Sequence, residues 1–454
     1  MLCAHSLNSA NRVIQASLII LLITSNTQNV WAVDWPQFRG ADSRGVADHA
    51  ELPDTWSETE NILWKKTIAG RGWSSPIVSG DLGFVTTVAR ETGDAEKAKS
   101  GLYFGGDRKK PDEVVHLWQV HCFSLQNGKE LWQRTVHQGI PKTSRHIKNS
   151  YASETPVTDG KHLYVLFGDV GLYCLTLDGK PVWSKPLPAC KTRYDWGTAS
   201  SPVLHENRII IVSDNEDESF LAAYDKTTGK QIWRTPRNEK SNWATPFIWK
   251  NKLRTEIIVP ASGKNRSYDL DGKLLYEFGG SSSITIATPY TAHGLLYVTS
   301  GYILDPQKPI YAIRPGASGD ISLQGDQTSN EFIAWCQKKA APYNPSTLVY
   351  RDQLYVLLDQ GFITSYDAKS GKQIYGKQRL SGGRSFTVSP WASNGKIFCL
   401  NEFGETFVFK AGKEFELLHT NKLHSDQLSM ATPAITENRI LLRTGESLYC
   451  IGKK

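Results

Sequence analysis

Six large aromatics recur at matching places: Trp73, Tyr151, Trp196, Trp243, Tyr343 and Phe386 each stand a few residues ahead of a Ser/Thr-Pro step or its equivalent. Aromatic rings carried on loops make platforms for flat or ring-shaped ligands. Arg71, Glu154, Arg193, Asp195, Asn242, Asn344 and Arg384 lie beside them and could add polar selectivity. Taken singly, such an aromatic also serves to plug a channel or pack, and such a charge to form a surface ion pair. As a set they are the candidate ligand or partner site. At the corresponding places two other segments carry Ile284, Ile286 and Met430, so the set is one-sided, with Trp73, Trp196 and Trp243 as its leading members.

Other chemistry is weakly represented. Asp214-Asn215-Glu216-Asp217-Glu218 is the one oxygen-rich stretch that could hold a hard cation, with Asp214 and Asp217 as its ligands. It lacks the alternating ligands and central Gly of a known calcium loop, so a solvated acidic turn is the plainer reading. The eleven His form no His-x-x-x-His or His-x-His pair, which argues against zinc. No Cys-x-x-Cys, nucleophile elbow, P-loop or dinucleotide fingerprint occurs, and no catalytic residue is assigned.

The elements that must position these residues follow from a repeat. Ser75-Pro76, Thr155-Pro156, Ser201-Pro202, Thr245-Pro246, Thr288-Pro289, Ser389-Pro390 and Thr432-Pro433 open seven units, and Ser346-Thr347 opens an eighth without the Pro. Most intervals are 43–46 residues, and the two longer ones, 76 to 156 and 289 to 347, carry insertions. Each unit reads as four short strands broken by turns such as Asp159-Gly160-Lys161. Four strands per unit and eight units predict an all-β fold, an eight-bladed β-propeller of antiparallel blades around a channel. Ile62 to Lys66 resembles a fourth strand ahead of the first step, and the last unit has only three. Pairing of these ends should close the ring over residues 62–454, with 33–61 as an N-terminal wrapping segment. The Ser/Thr hydroxyls should face inward and bond between neighbouring inner strands.

Residues 1–32 read as an export signal: Arg12, an apolar run from Val13 to Ile23, and Val30-Trp31-Ala32 before the cut. The run is shorter than the roughly 20 residues that span a bilayer, so no transmembrane anchor is expected. The compartment is then the periplasm or the exterior. Formal charge is +7 in 454 residues, with no block of like charges, which speaks for solubility rather than nucleic-acid binding. Of the six cysteines after the signal, Cys122, Cys174 and Cys450 fall at equivalent points of different units, where another unit has Ala223. Equivalent points lie too far apart to bridge, so few or no disulfides are expected.

Ala223 to Trp233 fits the Ala-x-Asp-x-x-Thr-Gly-Lys-x-x-Trp docking motif, with partial copies at Cys122 to Trp132, Cys174 to Trp183 and Ser365 to Tyr375. With the strings Trp35 to Gly40, Gly70 to Pro76, Tyr151 to Pro156, Ser241 to Pro246 and Ala312 to Ala317, the chain resembles secreted bacterial PQQ-like propeller proteins of the quinoprotein alcohol dehydrogenase-like superfamily. That resemblance implies the fold and compartment. It leaves two functions open. The preferred one is a monomeric, non-catalytic binding or scaffolding propeller that holds a protein or small molecule at its loop face. The alternative is a dehydrogenase of alcohols or sugars using pyrroloquinoline quinone (PQQ) and Ca²⁺, against which the missing adjacent cysteines and haem motif count.

Overall fold

The computed structural model describes residues 1, 34–92, 101, 108–111, 113–423 and 427–453. The export segment, apart from Met1, and its cleavage point near Ala32 lie outside them. Among the described residues there is no α-helix, and strands fill eight blades.

Blade 3 shows why this sequence folds so. Its first three strands, Val203–His205, Arg208–Ser213 and Phe220–Asp225, are rich in Ile, Val, Leu and Ala and are largely buried. A strand covered on both faces reads as a near-continuous apolar run. The fourth, Gln231–Pro236, is mostly half-buried or exposed and lies at the rim. Each strand pairs antiparallel with the next.

Neighbouring blades are joined at the rim by one repeated contact. The motif Trp lies on the turn Gly of the following blade and donates its indole N–H to a carbonyl there. Trp183 reaches the Lys226 carbonyl at 2.9 Å, and Trp64, Trp132, Trp233 and Trp335 bond the carbonyls of Leu125, Leu177, Leu270 and Ala368. Gly229 sits at φ +69, and a Cβ there would come within 2.5 Å of the Trp183 ring. The residue opposite each Trp must be small, which is why Cys122, Cys174, Ala223 and Cys450 occupy equivalent places. All six described cysteines are buried and free.

The ring closes as the repeat implied. Ile62–Thr67 pairs antiparallel with Ser447–Gly452 and completes blade 8. Residues 34–50 cross the face that carries the turns between first and second strands. Trp35 bridges Val78 of blade 1, Pro36 accepts from Thr158 of blade 2, and Arg39 bonds the Thr347 carbonyl of blade 6. Val46 bridges Ala392 of blade 7. Trp56 then stacks on Phe398, so this stretch belongs to the core between blades 7, 8 and 1. The insertion in blade 5 turns back to cover a neighbour: Gly319–Asp320 adds a parallel fifth strand to the outer edge of blade 4. Covered edges do not recruit other chains.

Two outcomes are expected. Deleting residues 33–68 removes the closing strand with Trp35, Trp56 and Trp64, and should lower the melting temperature by about 10 °C or more and cause aggregation. Gly229→Ala forces a strained φ and a clash with Trp183, and should cost about 2–4 kcal/mol in denaturant unfolding.

Candidate functional site

The loops ahead of the innermost strands, here called approach loops, gather on the face opposite residues 34–50. Their positions are set by acids in the turns between second and third strands. Asp359 accepts from the backbone N–H groups of Tyr343 and Asn344 at 2.7 and 3.0 Å. Asp305 holds Ser282 and Ser283 in the blade 5 loop. Glu402 takes the Thr387 hydroxyl and the ammonium of Lys148. Burial raises the carboxyls of Asp359 and Asp169 above their usual range.

The acidic stretch is part of this system, and the expectation of a solvated turn is corrected for its first two residues, while Asp217 and Glu218 stay exposed. Asp214 and Asn215 are buried. Asp214 meets Arg237 through both oxygens, at 2.7 and 3.0 Å, and also accepts from Asn242. Asn215 ties the turn to itself, Glu216 holds Ser241, and Asp217 accepts from the Lys191 N–H. These bonds set the loop that carries Trp243, and they commit the oxygens a cation would need.

Between the approach loops lies a well of about 250 Å³ at the mouth of the channel. Trp73, Trp196, Trp243 and Tyr343 line it, with Ile286 and Met430. The tryptophans are more than nine-tenths buried, so they also contribute to packing. Trp196 and Trp243 lie 5.8 Å apart within an apolar cluster that includes Ile284 and Tyr302. Two indoles are tied down by their N–H groups, Trp73 to the Lys148 carbonyl at 2.6 Å and Trp243 to the Gly197 carbonyl at 2.7 Å.

Below them runs a belt of eight hydroxyls, Ser75, Thr155, Ser201, Thr245, Thr288, Ser346, Ser389 and Thr432, all lining the well. Six accept the N–H of the equivalent residue one blade earlier, as the Ser75 N–H donates to Thr155 at 2.9 Å. Phe38, from residues 34–50, also lines the well.

Of the remaining expected residues Asn344 also lines the well, and the others stand elsewhere. Tyr151 packs against His116 and Trp118 and donates to the Thr143 carbonyl, away from the well. Phe386 is fully buried against Phe407 in blade 7, so the expectation that it stands at the mouth is corrected. Arg71 lies over Trp73 and donates to the Ile147 and Lys148 carbonyls, while Arg193 donates to Ser283 across two blades. Asn242 braces Asp214 and the Ser262 N–H. Glu154 lines a second cleft of about 180 Å³, where it accepts from Thr198 and Gly168. These polar residues hold loops rather than face the well. The sequence did not single out Phe38, Lys148, Asn149 or Ser153, because only long-range folding brings them to the mouth.

PQQ with Ca²⁺ does not fit this lining. Calcium needs six to eight oxygen ligands, carboxylates among them. Among the described residues no Asp or Glu lines the well, and the nearby Glu402 is committed to Lys148, Thr387 and the Gly101 N–H. Among the described residues no three of His, Cys, Asp and Glu gather closely enough to hold a metal.

A closed ring of eight four-stranded blades with rim docking motifs defines a PQQ-repeat propeller of the quinoprotein alcohol dehydrogenase-like superfamily. Within that class the chain belongs to the family described as outer membrane protein assembly factor BamB, whose profile matches residues 118–277 and 217–433. It is similar to the outer membrane protein assembly factor BamB of Burkholderia pseudomallei, at 25% identity over 277 residues. That match covers 56% of this chain and 66% of the relative, just under two thirds of its length. The BamB structure from Moraxella catarrhalis shares the fold with a TM-score of 0.52 at 11% identity, over 82% of this chain and 98% of that one. The quinohemoprotein alcohol dehydrogenase of Comamonas testosteroni does so at 0.59 and 11%, over 93% of this chain and 81% of that one. Among the described residues no helix is long and apolar enough to cross a membrane.

Glu154 supplies a pH test. Burial raises its carboxyl from the ordinary 4.5 to about 7. Because the folded value is the higher one, its favourable contribution is complete below about 4.5 and is lost as pH rises through about 7. Glu154→Gln keeps an oxygen for Thr198 and Gly168 but cannot ionise. Its melting temperature should fall less than that of the natural protein between about pH 5 and pH 8, by roughly 2–4 °C.

Proposed function

We propose that the protein is an exported, non-catalytic binding or scaffolding propeller that holds a ligand or partner at its approach-loop face. The observation that carries this reading is the well: a cavity with fixed aromatic walls and, among the described residues, no lining carboxylate to act as a base or metal ligand. Trp73, Trp196, Trp243 and Tyr343 are its contact residues. Arg71, Glu154, Arg193 and Asn242 act behind them as loop braces, and Tyr151 and Phe386 as packing. The assembly role named for the BamB relatives supports protein partners, and the segment 1–32 supports export to the periplasm or beyond, as a monomer. The alternative, a PQQ- and Ca²⁺-dependent dehydrogenase, has less support, because among the described residues no carboxylate lines the well to hold the ion.

Replacing a buried indole by Ala would itself cost about 3–5 kcal/mol and confuse a binding test. Filling the well is the cleaner probe. Ile286 and Met430 are half-buried at the mouth, and Ile286→Arg or Met430→Arg should melt within about 3 °C of the natural protein yet lose capture of ligand or partner from a native extract. Capture that survives both substitutions would place binding elsewhere. Incubation with PQQ and Ca²⁺ should give no dye reduction with a panel of alcohols and aldoses; robust turnover would overturn the scaffold reading.

A further inference from the structure

The chemistry of the well narrows what it can take. Among the described residues its lining presents no carboxylate. Its Lys148 ammonium is already bonded to the buried Glu402 carboxylate and the Gly101 carbonyl. Among the described lining residues only Lys148 and His146 can carry charge, so a charged ligand would leave water here for little counter-charge, which is unfavourable. An uncharged ligand meets no such cost.

Two further features describe the shape of the match. On one side, Trp196, Trp243, Ile286 and Tyr343, from four consecutive blades, make an apolar arc. Beneath it the hydroxyl belt is amphoteric. A hydroxyl that accepts one backbone N–H keeps its own proton and a second lone pair. None of the eight donates to a protein acceptor among the described residues. The complement is a neutral molecule with an apolar ring face on one side and a row of groups that both donate and accept on the other. Pyranose rings have this character: axial C–H groups make a face, and hydroxyls fringe it. The volume of about 250 Å³ lies below the range usual for drug-sized ligands, so one or two rings fill it. Indoles already held by Trp73 and Trp243 N–H bonds offer their faces without loss of side-chain freedom.

We propose that the well binds a neutral saccharide of one or two rings, its C–H face against Trp196 and Trp243 and its hydroxyls shared with the belt. This rests on the reading of the well as a ligand site.

The test is titration of the whole protein, by calorimetry and by tryptophan fluorescence. The probes are glucose, galactose, mannose, N-acetylglucosamine, cellobiose, maltose and chitobiose, with glucuronate as the charged control. At least one neutral sugar should quench the fluorescence and bind with a Kd of about 0.1–10 mM. Glucuronate should bind about tenfold more weakly or not at all. Met430→Arg, which crowds the well from the blade opposite Trp243, should weaken binding about tenfold or more, and Trp243→Phe, which keeps a ring face, by less. No neutral sugar binding at about 50 mM, equal binding of glucuronate, or binding indifferent to Met430→Arg would each overturn the proposal. If sugars fail while Met430→Arg still abolishes capture from extract, the site stands and its ligand class is wrong. If capture also survives, the site reading falls with it.

Discussion

A four-stranded blade with two apolar faces cannot bury them alone, and each blade here covers a face of the next. That contact is the constraint on which the rest depends. At the rim it is an indole lying on a glycine, as Trp183 lies on Gly229, with the N–H bonded to the carbonyl of Lys226. At the channel it is a hydroxyl accepting a backbone N–H from the blade before, as Ser201 does for Thr155. Because the blade faces are covered by their neighbours, the ring stays incomplete until its ends meet, and Ile62–Thr67 against Ser447–Gly452 provides that meeting. The seam between blades 8 and 1 also buries Arg443, bonded to the Ser74 and Thr86 carbonyls. Burial without a carboxylate lowers that guanidinium to about 9.

Regularity at the rim and belt leaves the approach loops free to differ. They are not loosely held. Acids buried in the second turns take hydroxyls and N–H groups from those loops, so the aromatic walls are fixed by a layer of polar bonds behind them. The cost is the burial of carboxyls, visible in the raised values of Asp169, Glu154 and Asp359. Stability is exchanged for a rigid mouth, which is the usual condition of a binding site. The same architecture supports dehydrogenase chemistry in the quinohemoproteins, so the fold alone does not choose. Among the described residues the lining joins aromatic walls to a belt of hydroxyls.

The sequence by itself determined the ring. Blade number, the small residue opposite each rim Trp, the inter-blade hydroxyl bonds and closure by Ile62 to Lys66 were all legible. Each is a local pattern repeated eight times or tied to a period, and local patterns survive without coordinates. Three of the leading aromatics, Trp73, Trp196 and Trp243, were legible as a set for the same reason. Only the tertiary structure decided which companions share their cavity. Phe386 and Tyr151 hold equivalent positions in sequence, yet a difference in packing turns them into core. Lys148 and Glu402 meet across 254 positions, and Phe38 enters from a segment outside the repeat. The acidic turn looked solvated because its partner Arg237 is 23 positions away. Charge neutralisation and cavity lining depend on distances through space that no repeat encodes, and so the well was the part of this protein that folding alone disclosed.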